Sequence, residues 1–256
     1  LIRTLLTAAA VVALASCAAT PVAPTNTGRV GPVPTRETGY LTADALSGRT
    51  ILSPPPTPDS QQGQAERAMY DQTRSLEGSE RWKTAIQDND LWGGGALKRF
   101  SCALGVELGE RQTPATWKIL HKIELDVRTV GGPAKSYFNR DRPLIGNDKP
   151  LCVPREDWMK TNASYPSGHS MTAWSWALVL TELAPAKADA VLKVGREGGE
   201  SRVICGVHFT SDIEAGRTLG SAIVARLHAD PAFEADLARA RREVASAKAA
   251  PMNCPA

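Results

Sequence analysis

The chain has 256 residues, 42% of them hydrophobic and 22% charged, with a formal net charge of +3. This length allows one large domain or two small ones, and the apolar fraction permits a sizeable core. The mild charge, with no Lys/Arg-rich run, excludes a nucleic-acid-binding surface, and nothing repeats at a fixed period.

Arg3 precedes an apolar run from Leu5 to Ala15, too short to span a bilayer and followed by small residues. Residues 1–17 therefore read as an export signal. Leu14-Ala15-Ser16-Cys17 is similar to a bacterial lipobox, in which Cys17 would become the lipidated first residue. Ordinary cleavage, for example after Ala15, is the alternative. Residues 18–60 are rich in Pro, Thr and Gly and include Pro54-Pro55-Pro56. They read as a tether and an extended arm without regular structure.

A helical domain is expected over 61–250. Asp59 or Ser60 can cap a helix to about Leu76, and Ser79 another to about Asn89. Gly93-Gly94-Gly95 precedes a helix from Ala96 to about Leu104. Thr113-Pro114 combines a cap with proline in the first turn and starts a helix to about Val130. Trp117, Leu120, Ile123, Glu124 and Val127 give that helix one mainly apolar face. Gly131-Gly132-Pro133 is expected to break it before a short helix bearing Lys135 and Arg142. Residues 144–164 read as a loop with a short helix near Arg155 to Met159.

A helix from Ser170 to Leu183 follows, about thirteen apolar-rich residues beyond Met171, below the roughly twenty needed to cross a membrane. Its Trp174 and Trp176 are expected in the core. Pro185 starts the next helix, which carries Arg202 at or beyond its end. Phe209 to Leu227 is a helix with Ala215, Gly216, Gly220 and Ala222 on one side, and Pro231 opens a charged helix to about Ala247. Strand-type alternation is nearly absent, so the fold class is all-α, a single-domain helical bundle.

With Cys17 set aside, Cys102, Cys152, Cys205 and Cys254 remain. In an exported chain these predict two disulfides, with three connectivities open. No CxxC or HxxxH spacing occurs and there are only four histidines, so no metal site is expected.

Three stretches carry the chemistry. In the first, Lys135 and Arg142 are seven residues apart and would share a face if both lay on one helix. In the second, Ser164-Tyr165-Pro166-Ser167-Gly168-His169 reads as a tight turn opening a helix, whose free N–H groups and dipole favour an anion. In the third, Arg202 is followed by His208 and Asp212, four residues apart, so on a helix the carboxylate reaches the imidazole. Three cations, two imidazoles, one carboxylate and backbone donors suit the binding and attack of a phosphate. Arg140, beside Arg142, is expected to face solvent, Asp141 and Asp148 to be surface groups, and His121 and His228 to be structural.

Lys135-x6-Arg142-Pro143, then Pro166-Ser167-Gly168-His169, then Ser201-Arg202-x5-His208-x3-Asp212 resembles the three-part signature of the type 2 phosphatidic acid phosphatase (PAP2) superfamily. Residues 163–170 and the Pro-rich stretch before Ala68-Met69-Tyr70 look like its class A bacterial non-specific acid phosphatases, with similarity over about residues 45–230. The resemblance implies a PAP2/haloperoxidase-type bundle and an exported, metal-independent acid phosphatase of broad monoester specificity, with no cofactor. It assigns Lys135, Arg142, Ser167, Gly168 and Arg202 to phosphate binding, where guanidinium forks match phosphoryl oxygens. His208 would be the nucleophile, Asp212 its orienting carboxylate, and His169 the general acid and then base. A mildly acidic optimum follows if His169 titrates near its ordinary value of about 6.5.

The expected partners are small phosphate monoesters, with oxyanions such as vanadate as inhibitors. A periplasmic location is implied, either soluble or held by an outer-membrane lipid anchor through Cys17, with a homo-oligomer as an alternative to a monomer. Competing readings are a vanadate-dependent haloperoxidase, a lipid phosphatase (disfavoured without transmembrane spans) and a non-catalytic phosphate-binding envelope lipoprotein.

Overall fold

The computed structural model describes residues 37–248 and 252–254, so the leader, Cys17 and the tether through residue 36 lie outside the described residues. The described residues contain no strand. Their helices are α1 (Gly48–Ile51), α2 (Gln61–Thr73), α3 (Glu80–Asn89), α4 (Ala96–Leu104), α5 (Pro114–Phe138), α6 (Trp158–Thr161), α7 (Gly168–Leu183), α8 (Ala188–Ile204), α9 (Thr210–Leu227) and α10 (Pro231–Ser246). Starts follow local chemistry. Ser60 and Ser79 accept from Gly63 and Trp82 N–H at 3.0 and 3.2 Å, and Asp230 caps α10 ahead of Pro231.

Thr113 does not cap α5 with its side chain. Its Oγ1 turns back to Gly109, and the carboxylate of Glu243 on α10 takes the Ala115 and Thr116 N–H groups at 3.0 and 2.7 Å. A long-range partner has replaced the local one.

The apolar α7 lies at the centre, packed against α5, α8 and α9, with α10 against α5 and α7. Trp176, fully buried, donates Nε1 to the Leu120 carbonyl at 2.9 Å. Around it Ile119, Ile123, Leu180, Leu219 and Ile223 are also fully buried, and each such side chain contributes roughly 1.5–3 kcal/mol of transfer free energy. Trp174 is only partly buried and donates to Ser221 Oγ at 2.9 Å, so only one of the two tryptophans expected in the core belongs to it. Small residues set the helix spacing. A Cβ at Gly216 would sit 2.8 Å from the Ser167 carbonyl oxygen, and one at Gly131 would sit 2.6 Å from Met171 Cε.

This contact explains why the expected break at Gly131-Gly132-Pro133 does not occur. α5 runs unbroken to Phe138 with Pro133 inside it. Proline removes one helical hydrogen bond, but Pro133 is exposed, while Gly131 and Ala134 pack inward. The glycines serve packing, not termination.

The short helix in the 144–164 loop lies at Trp158–Thr161, slightly later than expected. A small second core of Trp82, Ala85, Leu144, Val153, Met159 and Val207 holds that loop down. The disulfides pair Cys102 with Cys254 and Cys152 with Cys205, the second joining the loop to the end of α8.

The described part of the arm, residues 37–60, is not wholly irregular, since Ser47 caps the single-turn α1. The rest of this segment is anchored. Leu41 N–H donates to Asp126 at 2.8 Å, Tyr40 Oη to Asp236 at 2.9 Å, and Tyr165 Oη to the Ser53 carbonyl at 2.6 Å.

Candidate active site

Helix ends, not helix faces, build the site. Lys135 occupies the last turn of α5, which stops at Phe138 with Asn139 in the left-handed region (φ 43°). Arg142 lies in the loop beyond, so the pair converges without sharing a helix face as expected. The N-terminus of α7 brings Gly168 and His169, and the last turn of α8 brings Arg202. His208 likewise precedes α9, and Asp212, in the first turn of that helix, reaches back to it. The Ser167 N–H donates to the Asp212 carbonyl at 2.9 Å and locks the two helix starts together.

Lys135, Arg142, Gly168, His169, Arg202 and His208 line one cavity of about 440 Å³ with Leu91, Glu124, Val127, Arg128, Gly131 and Gly132, and with Trp158 and Asn162 on the 144–164 loop, while the buried Asp212 stands behind His208. Ser167 does not line it. Its fully buried Oγ caps α7, accepting from Ser170 N–H at 3.4 Å. Glu124 is tied into the wall by Trp92 Nε1 at 2.7 Å and by Arg128.

The partners of His208 define its tautomer. Nδ1 lies 3.3 Å from Asp212 Oδ2, an acceptor, and Nε2 lies 3.2 Å from Arg142 Nη1, which can only donate. The proton therefore resides on Nδ1, and the Nε2 lone pair faces the guanidinium side of the cavity. Ser164 Oγ donates to the same Asp212 oxygen at 2.5 Å, and the Phe209 N–H does so at 2.8 Å. His169 is fixed the other way round. Its Nε2–H donates to the Asn89 carbonyl at 3.0 Å, which leaves Nδ1 to take or give a proton.

A sequence model of the PAP2 superfamily matches residues 126–234. The chain is 37% identical over 198 residues to an acid phosphatase of Zymomonas mobilis, covering 77% of this chain and 75% of that one. It is 38% identical over 208 residues to a non-specific acid phosphatase of Providencia stuartii, covering 80% and 84%. A third relative, a non-specific acid phosphatase of Salmonella typhimurium, is 36% identical over 207 residues, covering 78% and 81%. The chain belongs to the PAP2 superfamily.

The PAP2 cavity is strongly electropositive. Arg142 and Arg202 are buried, and burial pulls their pKa values down to about 10 and about 9. Arg142 spends most of its donors on the protein, giving Nε and Nη2 to Asn162 at 2.9 Å and Nη1 to the Val207 carbonyl at 3.0 Å. Arg202 differs, because its buried Nε and Nη1 have no acceptor on the protein. Buried donors rarely lack partners, so this guanidinium is the strongest sign of a bound oxyanion in the PAP2 site. Burial and then Arg142 bring Lys135 down to about 7, although its Nζ donates to the Ala163 carbonyl at 2.6 Å.

The expectation that His169 titrates near 6.5 is overturned. Burial, and then the Arg202 charge, hold it at about 3, and His208 lies well below its ordinary value for the same leading reason. Both rings are neutral in the free protein at neutral pH. An arriving phosphate dianion would favour a proton on His169 by offsetting those cations.

Sequence reasoning sent Arg140 to solvent, yet its side chain is only 12% exposed and pairs with Asp212 Oδ1 and Glu66 Oε2, each at 2.7 Å. Glu66 and Asn162 were missed as well, and Ser164 was read only as part of the turn, with no role toward Asp212. Asn162 lies two residues before the 164–169 turn and could have been noticed there, whereas nothing local marks Glu66. Asp141 and Asp148 are exposed as expected. His121 stacks on Trp117 and bonds Glu37 at 2.8 Å, and His228 bonds Glu182 and Glu234, all outside the cavity.

Proposed function

We propose that this PAP2 protein is an acid phosphatase that hydrolyses phosphate monoesters through a phosphohistidine at His208, without a metal ion. The observation that carries the reading is the Nε2 lone pair of His208, set by Asp212 and facing a cavity where Arg202 has unused donors. Lys135, Arg142, Arg202 and the Gly168 N–H hold the three equatorial oxygens, while the buried Ser167 hydroxyl stays with the cap of α7. Protein cations thus supply the charge neutralisation that a divalent ion would otherwise provide.

In the first step Nε2 of His208 bonds to phosphorus while the ester P–O bond breaks. The leaving oxygen takes a proton from Nδ1 of His169. The His208 ring, still bearing its Nδ1 proton, becomes a phosphorylated imidazolium stabilised by Asp212. Then His169 takes a proton from water, the water oxygen bonds to phosphorus, the P–N bond breaks and phosphate leaves.

The deciding experiment is turnover of p-nitrophenyl phosphate in EDTA, coupled to rapid acid-free quenching of the labelled protein. Undiminished turnover with a base-stable, acid-labile phosphoenzyme is expected. Complete loss in EDTA would remove the metal-free step, and a phosphoenzyme on another residue would remove the assignment.

The pH dependence follows from Lys135. Its folded value lies near 7, so its charge is present below that pH and is lost as pH rises through it. His208 keeps its lone pair until well below 6.5. The Lys135 contribution to kcat/KM, which reports the free enzyme, is therefore expected to be lost above about pH 7, whatever limb His169 adds at lower pH. In Lys135→Arg the alkaline limb should move up by at least about one unit, because guanidinium titrates far higher. An unmoved limb would take Lys135 out of the explanation. The acidic optimum survives, with a different residue setting it.

Export to the periplasm belongs to the same proposal. It is supported by the two disulfides, which persist in oxidising compartments. No helix among the described residues is long and apolar enough to cross a membrane.

A further inference from the structure

All residues assigned to the phosphoryl chemistry fall within 126–234, the segment matched by the family. The charge environment of His208 does not end there. Asp212 is fully buried and uses both oxygens, Oδ2 toward His208, Ser164 and the Phe209 N–H, and Oδ1 toward Arg140. A guanidinium at 2.7 Å would by itself cancel this carboxylate just where positive charge must develop on the imidazole. The opposite edge of Arg140 meets Glu66 on α2, also buried, at 2.7 Å. Glu66 is held in turn. Its second oxygen accepts the Ser211 N–H at 2.7 Å, in the first turn of α9, and Ser211 Oγ accepts from Arg140 at 2.8 Å. The face of Arg140 packs on Phe209, 4.2 Å from the ring centroid, which limits its movement.

We propose that Glu66 is a positioning residue for the reaction. Through Arg140 it keeps the buried Glu66–Arg140–Asp212 cluster at a net charge of −1 beside His208, so α2 is an integral part of the catalytic unit. The inference rests on His208 being the nucleophile. Two carboxylates and one guanidinium leave one negative charge to face the phosphorylated imidazolium, and low local polarity makes that charge count. Glu66 touches neither phosphate nor imidazole and acts only through Arg140, which orients and screens Asp212.

Charge balance and mere scaffolding predict different outcomes in a double-mutant cycle. Glu66→Gln keeps the shape but leaves the cluster neutral. Its kcat is expected to fall about 10- to 30-fold, the scale seen when outer partners of functional histidines are removed, with KM within about 2-fold. Adding Arg140→Gln removes the guanidinium charge while retaining an amide donor for Asp212, and restores the net −1. The double variant is therefore expected to recover to within about 5-fold of the parent. Glu66→Asp, which keeps the charge, is expected to hold kcat within about 3-fold, and it reads the proposal even if Glu66→Gln folds poorly. Losses that simply multiply in the double variant, an unchanged kcat in Glu66→Gln, or an Asp variant as impaired as the Gln variant would each overturn it. Failure of the phosphatase reading itself would look different, because the unmodified chain would then turn over no p-nitrophenyl phosphate in the same assay.

Discussion

Replacing His208 by glutamine is expected to lower kcat/KM for p-nitrophenyl phosphate by about 10⁴-fold or more, the scale set by removal of a nucleophile from a covalent mechanism. Glutamine fills much of the same space and can keep a hydrogen bond toward Asp212, so the bundle should stay folded. It has no ring nitrogen lone pair to offer phosphorus. The cations of the cradle remain, so substrate should still bind and a trace of direct attack by water should survive. Steady-state kinetics and phosphoenzyme trapping on the same preparation separate these effects. The parent should become labelled and the variant should not, with KM changed far less than kcat. A variant retaining a tenth of the parent activity would require another nucleophile.

The second large effect concerns Arg202. Its side chain is buried beside Arg142, and two of its donor nitrogens have no acceptor on the protein. Arg202→Met should therefore act in opposite directions on activity and stability. Loss of a preorganised donor to the phosphoryl oxygens is expected to reduce kcat about 10²- to 10³-fold. Removal of a buried, poorly compensated cation is expected to stabilise the fold by about 1–3 kcal/mol, raising Tm by roughly 2–4 °C per kcal/mol for a chain of this size. Thermal melts in phosphate-free buffer measure the second effect. Added inorganic phosphate should then raise the Tm of the parent much more than that of the variant. A variant that melts lower than the parent would mean that Arg202 is a structural ion, and would sink the reading of its unused donors.

How far the sequence disclosed the protein depends on the range of the physics involved. Helix starts at Ser60, Ser79 and Pro231 were legible because caps and first-turn prolines act within one turn. The unbroken α5 was not, because Gly131 earns its place through Met171 on another helix, a contact that no local propensity rule contains. The site residues were legible as types and spacings, although the geometry imagined for them was wrong. Lys135 with Arg142, and His208 with Asp212, meet across helix ends instead of along helix faces. Arg140 was misjudged because its neighbours in sequence say nothing of Glu66, 74 positions earlier. The low titration of His169 was equally out of reach, since it depends on how Arg202 and the surrounding walls close around the ring.

The clustering of Lys135, Arg142 and Arg202 has a consequence for the pace of the enzyme. Three like charges held together by the fold relax when any tetrahedral anion settles among them, and the cradle does not ask whether that anion is esterified. Orthophosphate, the last product to leave in the proposed mechanism, is such an anion. Turnover by that mechanism is expected to be self-limiting: where phosphate is scarce the catalyst would run freely, and as its own output accumulates it would occupy the seat that the next ester needs.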